Sequence, residues 1–314
     1  MVGLLRRSKT MNIISLFSGA GGLDLGLIQA GHHIVWANDI DANAVATYKA
    51  NVDKNIVHAD IQNVDITEIP DGDVVVGGFP CQGFSMANMR RNIDDERNLL
   101  YRFFYHTIEI KQPKYFIAEN VKGILSLGGG DVIKTIINDF NQAGYKVEYH
   151  LVNMADYGVP QHRERVIIVG QRNDLGKDMI FRFPSPTHQK GNWVSIKDAL
   201  HNLPAAGDTT KDPNNYGSNY KIVVKNFTAH RITNPDLPSP TILARGNGKG
   251  GVCAIPHYNG ERRLTIRESA VIQTFPLDFN FIGSMGSCYR QIGNAVPVRF
   301  GKILGNELAR IEKQ

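Results

Sequence analysis

Residues 12–26 read NIISLFSGAGGLDLG, an apolar run that leads into a cluster of glycines and then into a helical pattern. The run predicts a first β-strand over 12–17. Gly19, Gly21 and Gly22 follow it, and glycines allow the backbone to turn tightly and to approach a ligand closely. The stretch therefore predicts a strand–turn–helix unit with room for a ligand at the turn.

The spacing of the glycines narrows the class of ligand. The dinucleotide fingerprint GxGxxG fails, because Asp24 stands at its sixth position counted from Gly19 and Leu23 at its third counted from Gly21. A pyrophosphate cradle is disfavoured, whereas a nucleoside remains compatible with the turn. The failed fingerprint also argues against a hydride-transferring oxidoreductase.

The first half of the chain alternates strand-like and helix-like patterns. Its further apolar runs lie at 33–37, 55–58, 73–77 and 115–118, with helical patterns at 41–51 and 131–143. Continuous apolar strands separated by helices are typical of a parallel sheet with both faces covered. A pair of runs at 146–153 and 165–170 extends the sheet and supplies one antiparallel edge strand. We predict an α/β fold with a doubly wound, mostly parallel sheet, in which ligands bind at the carboxyl ends of the strands.

The amino-acid composition changes in the second half of the chain. Residues 185–262 are rich in Gly, Pro, Asn and Thr and contain only short candidate strands, at 222–224 and 241–243. Residues 185–267 carry eleven Lys or Arg against five Asp or Glu, a surplus larger than the net charge of +5 of the whole chain. Such a surface is typical either of a nucleic-acid contact or of an ordinary solvated face. The final stretch, 288–311, returns to a helical pattern.

Composition excludes several classes of protein. The 314 residues are 42% hydrophobic and 21% charged, as expected of a soluble globular protein, and no apolar stretch approaches the roughly 18 residues of a membrane span. The basic start MVGLLRRSKT lacks the apolar core of a signal peptide. Cys81, Cys253 and Cys288 are odd in number and far apart. A disulfide framework or a zinc site is therefore not expected, and a reducing cytosol is.

Two aspartates end predicted strands. Asp39 closes WAND and Asp60 closes VHAD. A carboxylate at the first position can accept hydrogen bonds from both ribose hydroxyls of a nucleoside, and one at the second can accept from an adenine amino group. Taken singly, each aspartate is more often the cap of a helix or turn, and it is their succession at the strand ends that favours a ligand site.

A cysteine lies where another strand ends, in the stretch VGGFPCQGFS at 76–85. Cys81 could be a buried small hydrophobe, which is the common state of a lone cysteine. Pro80 favours a different interpretation, because proline donates no ladder hydrogen bond and continues a central strand poorly. Cys81 is then at the carboxyl end of the strand, in the ligand crevice. The polar residues 82–98 lack apolar periodicity, which is typical of a mobile active-site loop.

Charged residues are predicted at the same edge of the sheet. Glu119 lies in AENV at the end of the fifth strand, and Arg163 and Arg165 alternate in QHRERV. Alternation in a strand places the two arginines on one face. An exposed glutamate and an ion-paired edge strand are the alternatives.

Together these residues resemble the DNA (cytosine-5) methyltransferases, in particular the bacterial modification type. The resemblance runs from Met11 onward, in the order typical of the family. It rests on FSGAGG at 17–22, the strand-end Asp39 and Asp60, GGFPCQGFS at 77–85, ENV at 119–121, QHRERV at 161–166, RRLTIRESAVIQTFP at 262–276 and QIGNAVPV at 291–298. PCQ, ENV and QxRxR in this order are specific to the family, although each motif alone is not.

The resemblance implies methyl transfer from S-adenosyl-L-methionine to carbon 5 of a cytosine flipped out of the DNA duplex. Cys81 matches the family's nucleophile, whose thiolate attacks carbon 6, and Glu119 matches the carboxyl that binds the ring edge and protonates ring nitrogen 3. Arg165 matches the arginine that contacts the carbonyl oxygen of the base, and Arg163 matches one near the phosphate backbone. We expect loop 82–98 to close over the base. The sequence does not identify the base that removes the carbon-5 proton.

The resemblance also implies two sets of binding residues. The S-adenosyl-L-methionine site would consist of Phe17, Gly19, Ala20, Gly21, Gly22, Leu23, Asp39, Ile40, Asp60, Ile61, Pro80, Asn294 and Ala295. DNA contacts would come from Gln82, Ser85, Arg97, Thr241, Arg245 and Lys249. Ile40 stands where members of the family often carry a tryptophan, so Phe17 is expected to supply most of the stacking against the adenine.

A two-part organisation follows from the same resemblance. Residues 1–184 and 285–314 would form a catalytic domain with the S-adenosylmethionine-dependent methyltransferase fold. Residues 185–284 would form an inserted small, irregular, β-rich target-recognition domain, with a hinge near 263–284. The expected partner is double-stranded DNA, bound by a monomer without a metal or a membrane, in the cytoplasm at a prokaryotic nucleoid. A restriction endonuclease is the expected functional companion in a restriction-modification system.

The nearest alternative is an RNA cytosine-5 methyltransferase with the same catalytic domain. Its tRNA-type members usually show a CFT signature in the small domain, whereas Cys253 stands in GVCAIP. An inactive DNA-binding relative should have lost Cys81, Glu119 or the arginines, and all are present. A cysteine hydrolase would need a paired histidine, and none of the ten histidines lies in a recognisable motif.

Overall fold

A computed structural model describes residues 10–80, 99–217, 233–244 and 255–311. Seven strands form its single named sheet: β1 (Asn12–Leu16), β2 (His33–Asp39), β3 (Ile56–His58), β4 (Val74–Gly77), β5 (Tyr115–Val121), β6 (Tyr145–Asn153) and β7 (Glu164–Arg172). Their order across the sheet is β3-β2-β1-β4-β5-β7-β6. The chain reverses direction across the sheet between β1 and β4, which is the switch point at which doubly wound folds bind ligands.

The described helices are α1 (Gly22–Gln29), α2 (Ala42–Asn51), α3 (Leu99–Lys111), α4 (Asp131–Gln142), α5 (Ile196–Leu200), α6 (Ile266–Ile272), α7 (Met285–Asn294) and α8 (Val298–Ile311). Alternate residues of the central strands point to opposite faces of the sheet. Ile14 and Val75 pack with α3 and α4, whereas Ile13 and Val74 pack with α1 and α8. Both faces are therefore covered, and the predicted α/β class is confirmed.

The prediction of an antiparallel edge strand is wrong in its position. β7 runs antiparallel to both β5 and β6 and lies between them, so the edge strand β6 is parallel to β5. The burial of the two strands gives the reason. Five consecutive residues of β7 are buried, as in an interior strand, whereas β6 is largely exposed.

The C-terminal helical pattern is two helices. α7 ends at Asn294 and α8 begins at Val298, because Pro297 cannot continue an α-helix. α8 packs closely on α1, and a Cβ at Gly26 would lie 2.4 Å from the carbonyl oxygen of Val298. This packing places the end of α7 beside the turn that follows β1.

The described part of the inserted region is irregular. Besides α5 and α6 it contains two isolated bridges, Gln161 with Ser239 and Pro256 with Arg263. No strand is present at 241–243, where one was predicted. Side-chain hydrogen bonds, described below, hold this segment in place of the backbone bonds of a β-ladder. The candidate strand at 222–224 lies outside the described residues. Among the described helices, none is long and apolar enough to span a membrane.

Candidate active site

The turn after β1, residues 17–22, is called the glycine turn below. Phe17 has a left-handed φ of 56°, a conformation that costs a non-glycine residue about 1–2 kcal/mol. A Cβ at Gly21 would lie 2.8 Å from the ring of Tyr48, and one at Gly22 would lie 2.4 Å from the carbonyl oxygen of Val296. A Cβ at Gly19 would meet nothing within 4 Å among the residues that the structure describes. The turn is therefore packed against the protein on one side and open on the other.

A buried carboxyl supports the glycine turn from below. Asp24 accepts hydrogen bonds from Ser15 Oγ and from the hydroxyl of Tyr48, each at 2.8 Å. Burial raises the pKa of Asp24 to about 6, and these hydrogen bonds oppose the rise. Asp24 thus ties α1 to both β1 and α2.

The two predicted strand-end aspartates have different roles in the structure. Asp39 Oδ2 accepts from the backbone N–H of Gly19, and Oδ1 from that of Asp41, both at 2.8 Å. Burial raises the pKa of Asp39. Asp60 Oδ1 accepts from the N–H of Gln62 at 3.1 Å and caps a short 3-10 turn, as its alternative interpretation expected. Asp39 is therefore joined directly to the open side of the glycine turn, and Asp60 is not.

An apolar side chain extends from the same edge. Ile40 is 64% exposed, and its carbonyl oxygen contacts Nε2 of His58 at 3.1 Å. Phe17 is half-buried on the far side of the turn. Where α7 meets the glycine turn, Ala295 is buried beside Gly22, and its Cβ lies 3.2 Å from a Cβ built at that glycine. Asn294 is exposed.

A second group of charged residues lies at the ends of β5 and β7. Arg165 Nε is 2.9 Å from Glu119 Oε1, and the two side chains are 12% and 14% exposed. The N–H of Arg165 is not aligned with that oxygen, so the contact is an ion pair without hydrogen-bond geometry. Oε2 of Glu119 lies 3.4 Å from a Cβ built at Gly78. Asn120 Nδ2 donates to the carbonyl oxygen of Phe79 at 3.0 Å. The carboxyl therefore lies over the segment that leads to Pro80.

Arg163 differs from its expected setting. It precedes β7 instead of alternating with Arg165 within the strand, and it is 1% exposed. Its Nη1 donates to the carbonyl oxygen of Ile242 at 3.3 Å, and its Nε has no hydrogen-bond partner among the described residues. Burial and the charge of Arg165 lower the pKa of Arg163, while Glu119 opposes the effect. The guanidinium thus faces the protein interior beside the ion pair.

A cleft of about 660 Å³ opens beside this group. It is lined by Val121, Lys122, Gly123, Asn153, His162, Glu164, Arg165, Thr241 and Leu243. Thr241 Oγ1 donates to the carbonyl oxygen of His162 at 2.5 Å. Lys122 and Glu164 form an exposed ion pair at 3.0 Å. His162 and Lys122 were not singled out from the sequence, although each directly neighbours a quoted motif residue.

Six of the predicted site residues lie outside the described residues: Cys81, Gln82, Ser85, Arg97, Arg245 and Lys249. The predicted closure of loop 82–98 lies there too. Among the described residues the free cysteine is Cys288, which is buried and whose pKa burial raises to about 11, so it is unsuited to act as a thiolate. No group of three or more His, Cys, Asp or Glu in the described part of the chain could hold a metal ion.

Comparisons with known proteins identify the family of the chain. The profile of the C-5 cytosine-specific DNA methylase family matches residues 11–310. Type II methyltransferase M.NgoFVII of Neisseria gonorrhoeae is 40% identical over an alignment of 319 positions that covers 92% of this chain and 84% of the relative. Type II methyltransferase M.BspRI of Lysinibacillus sphaericus is 38% identical over 97% of this chain and 82% of the relative.

Solved structures show the same fold. A protein described as a DNA modification methyltransferase encoded within an E. coli prophage has a TM-score of 0.72 and 27% identity, with 96% of this chain and 98% of that chain covered. The Dnmt2 methyltransferase of S. pombe has a TM-score of 0.70 over 96% of this chain and 98% of that chain, and at 21% identity this likeness concerns the fold alone.

Proposed function

Because the chain belongs to the C-5 cytosine-specific DNA methylase family, we propose that it transfers a methyl group from S-adenosyl-L-methionine to carbon 5 of a flipped-out cytosine, with Cys81 as the nucleophile. The acceptor is DNA and not RNA, in keeping with the family and with the named relatives. One observation carries the proposed chemistry. The Glu119–Arg165 pair lies over the residues that lead to Cys81, at the sheet edge that also carries the glycine turn.

The proposed reaction begins with attack of the Cys81 thiolate on carbon 6 of cytosine. The new S–C bond forms from the thiolate electron pair, and the carbon 5–carbon 6 π-electrons shift so that carbon 5 becomes nucleophilic. Glu119 donates a proton to ring nitrogen 3, and Arg165 donates hydrogen bonds to the carbonyl oxygen of the base. Carbon 5 would then take the methyl group from S-adenosyl-L-methionine, with S-adenosyl-L-homocysteine as the leaving group, and ring nitrogen 3 would return its proton to Glu119. Loss of the carbon-5 proton restores the double bond and expels the thiolate.

The positions of Glu119 and Arg165 suit a planar base. A guanidinium presents its donors in one plane, and a carboxyl can serve both a ring nitrogen and an exocyclic amine. Because the ion pair lacks a well-aligned hydrogen bond, Oε1 of Glu119 keeps its hydrogen-bonding capacity for the polar edge of an entering base.

The residues at the carboxyl ends of β1 and β2 fit S-adenosyl-L-methionine, which supplies the electrophilic methyl group when bound. The open side of Gly19 leaves room for a ligand, and the carboxylate of Asp39 accepts one backbone N–H at each oxygen, which leaves further lone pairs for ribose hydroxyls. Phe17 and the exposed Ile40 would hold the adenine between apolar surfaces. Asp60, Ile61, Pro80, Asn294 and Ala295 would complete the site.

DNA is proposed to bind across the cleft beside Thr241. The basic surplus of residues 185–267 would face the duplex as a target-recognition domain, with Arg245 and Lys249 in DNA contact. Gln82, Ser85 and Arg97 would approach from the loop after Cys81. We further propose that the protein acts as a monomer on double-stranded DNA in the cytoplasm, alongside a restriction endonuclease, with the domain boundaries and hinge given above.

Expression in cells that lack DNA methylation, followed by genome-wide conversion sequencing, tests this function. The expected result is 5-methylcytosine in one recurring sequence context. Absence of new 5-methylcytosine, from a folded protein that binds S-adenosylmethionine, would refute the proposal. Cys81→Ser should keep cofactor binding and lose transfer, and transfer by this variant would remove Cys81 from its role.

A further inference from the structure

A chain of buried amide groups joins two distant segments of the protein. Gln161 and Gln273 form its centre, and both are 0% exposed. Gln161 Oε1 accepts from the backbone N–H of Ile242 at 3.0 Å, and Gln161 Nε2 donates to Gln273 Oε1 at 3.0 Å. Gln273 Nε2 donates to the carbonyl oxygens of Ile292, at 2.7 Å, and Ala295, at 3.2 Å. This set of bonds is called the amide relay below.

The partners determine the direction of the amide relay. Because the carbonyl oxygens at the end of α7 can only accept, Gln273 must present Nε2 to them and Oε1 to Gln161. That oxygen requires Nε2 of Gln161, which leaves Oε1 of Gln161 for the N–H of Ile242. A flip of either amide would bring like groups together in a buried site, so the relay has one stable arrangement.

A close backbone contact joins the same two segments. A Cβ at Gly293 would lie 2.4 Å from the backbone N of Ala244 and 2.4 Å from the carbonyl carbon of Leu243. On its other side the chain after α7 meets the glycine turn, where a Cβ built at Gly22 would lie 2.4 Å from the carbonyl oxygen of Val296. The end of α7 is therefore packed between the glycine turn and the segment that carries Thr241.

We propose that Gln161 and Gln273 are positioning residues that hold Thr241 at a set distance from the cofactor crevice. The proposal rests on the proposed function, in which Thr241 contacts DNA and the glycine turn binds S-adenosyl-L-methionine. The peptide groups of Ile242 are held from both sides, since its N–H bonds to Gln161 and its carbonyl oxygen to Arg163. Loss of the Gln161 side chain would free the segment that carries Thr241 and leave the bonds from Gln273 to α7 in place. Loss of the Gln273 side chain would also remove the donor to the carbonyl oxygens at the end of α7.

Substitutions at Gln161 and Gln273 can distinguish the effect of the amide relay on DNA binding from its effect on cofactor binding. Gln161→Met and Gln273→Met keep the side-chain volume approximately and remove the hydrogen bonds. The measurements are KM for DNA that carries the wild-type target context, and Kd for S-adenosylhomocysteine by calorimetry. We expect Gln161→Met to raise KM for DNA about tenfold, as for a buried donor left unpaired, and to leave Kd within about twofold. Gln273→Met should raise both about tenfold.

The matched control is Gln171→Met. It removes the hydrogen bond that Gln171 accepts from the N–H of Phe181, at 3.1 Å, at the opposite end of β7, and it should change neither KM nor Kd.

If Gln161→Met does not fold, Gln161→Asn is the second variant. Its side chain is too short to span the gap, and it should show the same selective loss of DNA affinity. The double variant should raise KM for DNA no more than the larger single effect. An equal loss of both ligands in the Gln161 variants, an unchanged KM, or multiplicative single effects would overturn the proposal. A failure of the proposed function would be distinct, because the wild-type protein itself would then not methylate DNA or bind S-adenosylhomocysteine.

Discussion

Asp24→Asn tests the buried carboxyl beneath the glycine turn. Burial raises the pKa of Asp24 to about 6 from the ordinary value of 3.8. The folded protein therefore binds this proton more tightly than the unfolded chain does. Well below pH 4 the carboxyl is protonated in both states, and Asp24 then has no effect on the free energy of unfolding. The folded state loses stability as the pH rises toward 6, and the loss is complete above that pH.

The magnitude follows from the difference between the two pKa values, since one unit corresponds to about 1.4 kcal/mol. The rise to about 6 represents about 3 kcal/mol of lost stability at pH 7 relative to a pH well below 3.8, and about 2 kcal/mol relative to pH 4, where the unfolded carboxyl is already partly ionised. In Asp24→Asn the group no longer titrates, and its oxygen can still accept from Ser15. We therefore expect the free energy of unfolding of the variant, relative to wild type, to increase by about 2 kcal/mol between pH 4 and pH 7.

Denaturant titrations followed by tryptophan fluorescence at pH 4, 5, 6 and 7 measure this difference. The control is Asp278→Asn, because Asp278 is exposed and should give the same difference at every pH. A difference for Asp24→Asn that does not vary with pH would show that the carboxyl titrates normally in the folded protein. A difference of the opposite sign would show that the protein stabilises the carboxylate, and either result would refute the reasoning.

Three further substitutions test separate parts of the structure. Arg267 is 1% exposed and donates to the carboxylate of Asp212 at 2.6 and 3.0 Å. Arg267→Met would leave that carboxylate without this partner, and should lower the free energy of unfolding by about 3–5 kcal/mol in denaturant titrations. Adding Asp212→Asn should restore part of the loss. Gly22→Ala would place a Cβ 2.4 Å from the carbonyl oxygen of Val296, and should weaken S-adenosylhomocysteine binding at least about tenfold by calorimetry. Arg165→Lys keeps the charge and loses the planar fork, and should lower kcat about 10²–10³-fold without changing that Kd; an unchanged kcat would exclude Arg165 from contact with the reacting base.

Much of the sheet edge that carries the glycine turn could be predicted from the sequence because it obeys a local rule. Each apolar run ends in a polar residue or a glycine, and the carboxyl ends of parallel strands meet at one edge. Gly19, Asp39 and Glu119 follow from that rule alone. The family resemblance then assigned their chemistry.

The features that the sequence did not indicate depend on contacts between distant residues. Strand periodicity shows which side chains alternate but not how deeply they are buried, so the interior position of β7 and the burial of Arg163 were not predicted. The hydrogen bond between Gln161 and Gln273 joins residues 112 apart. Its two glutamines stand in motifs that already have other interpretations, and nothing in the local pattern indicates that the motifs meet.

The buried charges beside β5 and β7 do not balance, and the imbalance has a chemical consequence. Glu119 pairs with Arg165, whereas the buried guanidinium of Arg163 bonds to the neutral carbonyl oxygen of Ile242. Among the described residues, two largely buried cations stand against one carboxylate here, and this excess favours an additional anion nearby, since charges interact more strongly away from water. The thiolate form of Cys81 is the anion that the proposed reaction requires, and cationic neighbours favour it over the thiol. Arg163 would then assist the nucleophile through its charge.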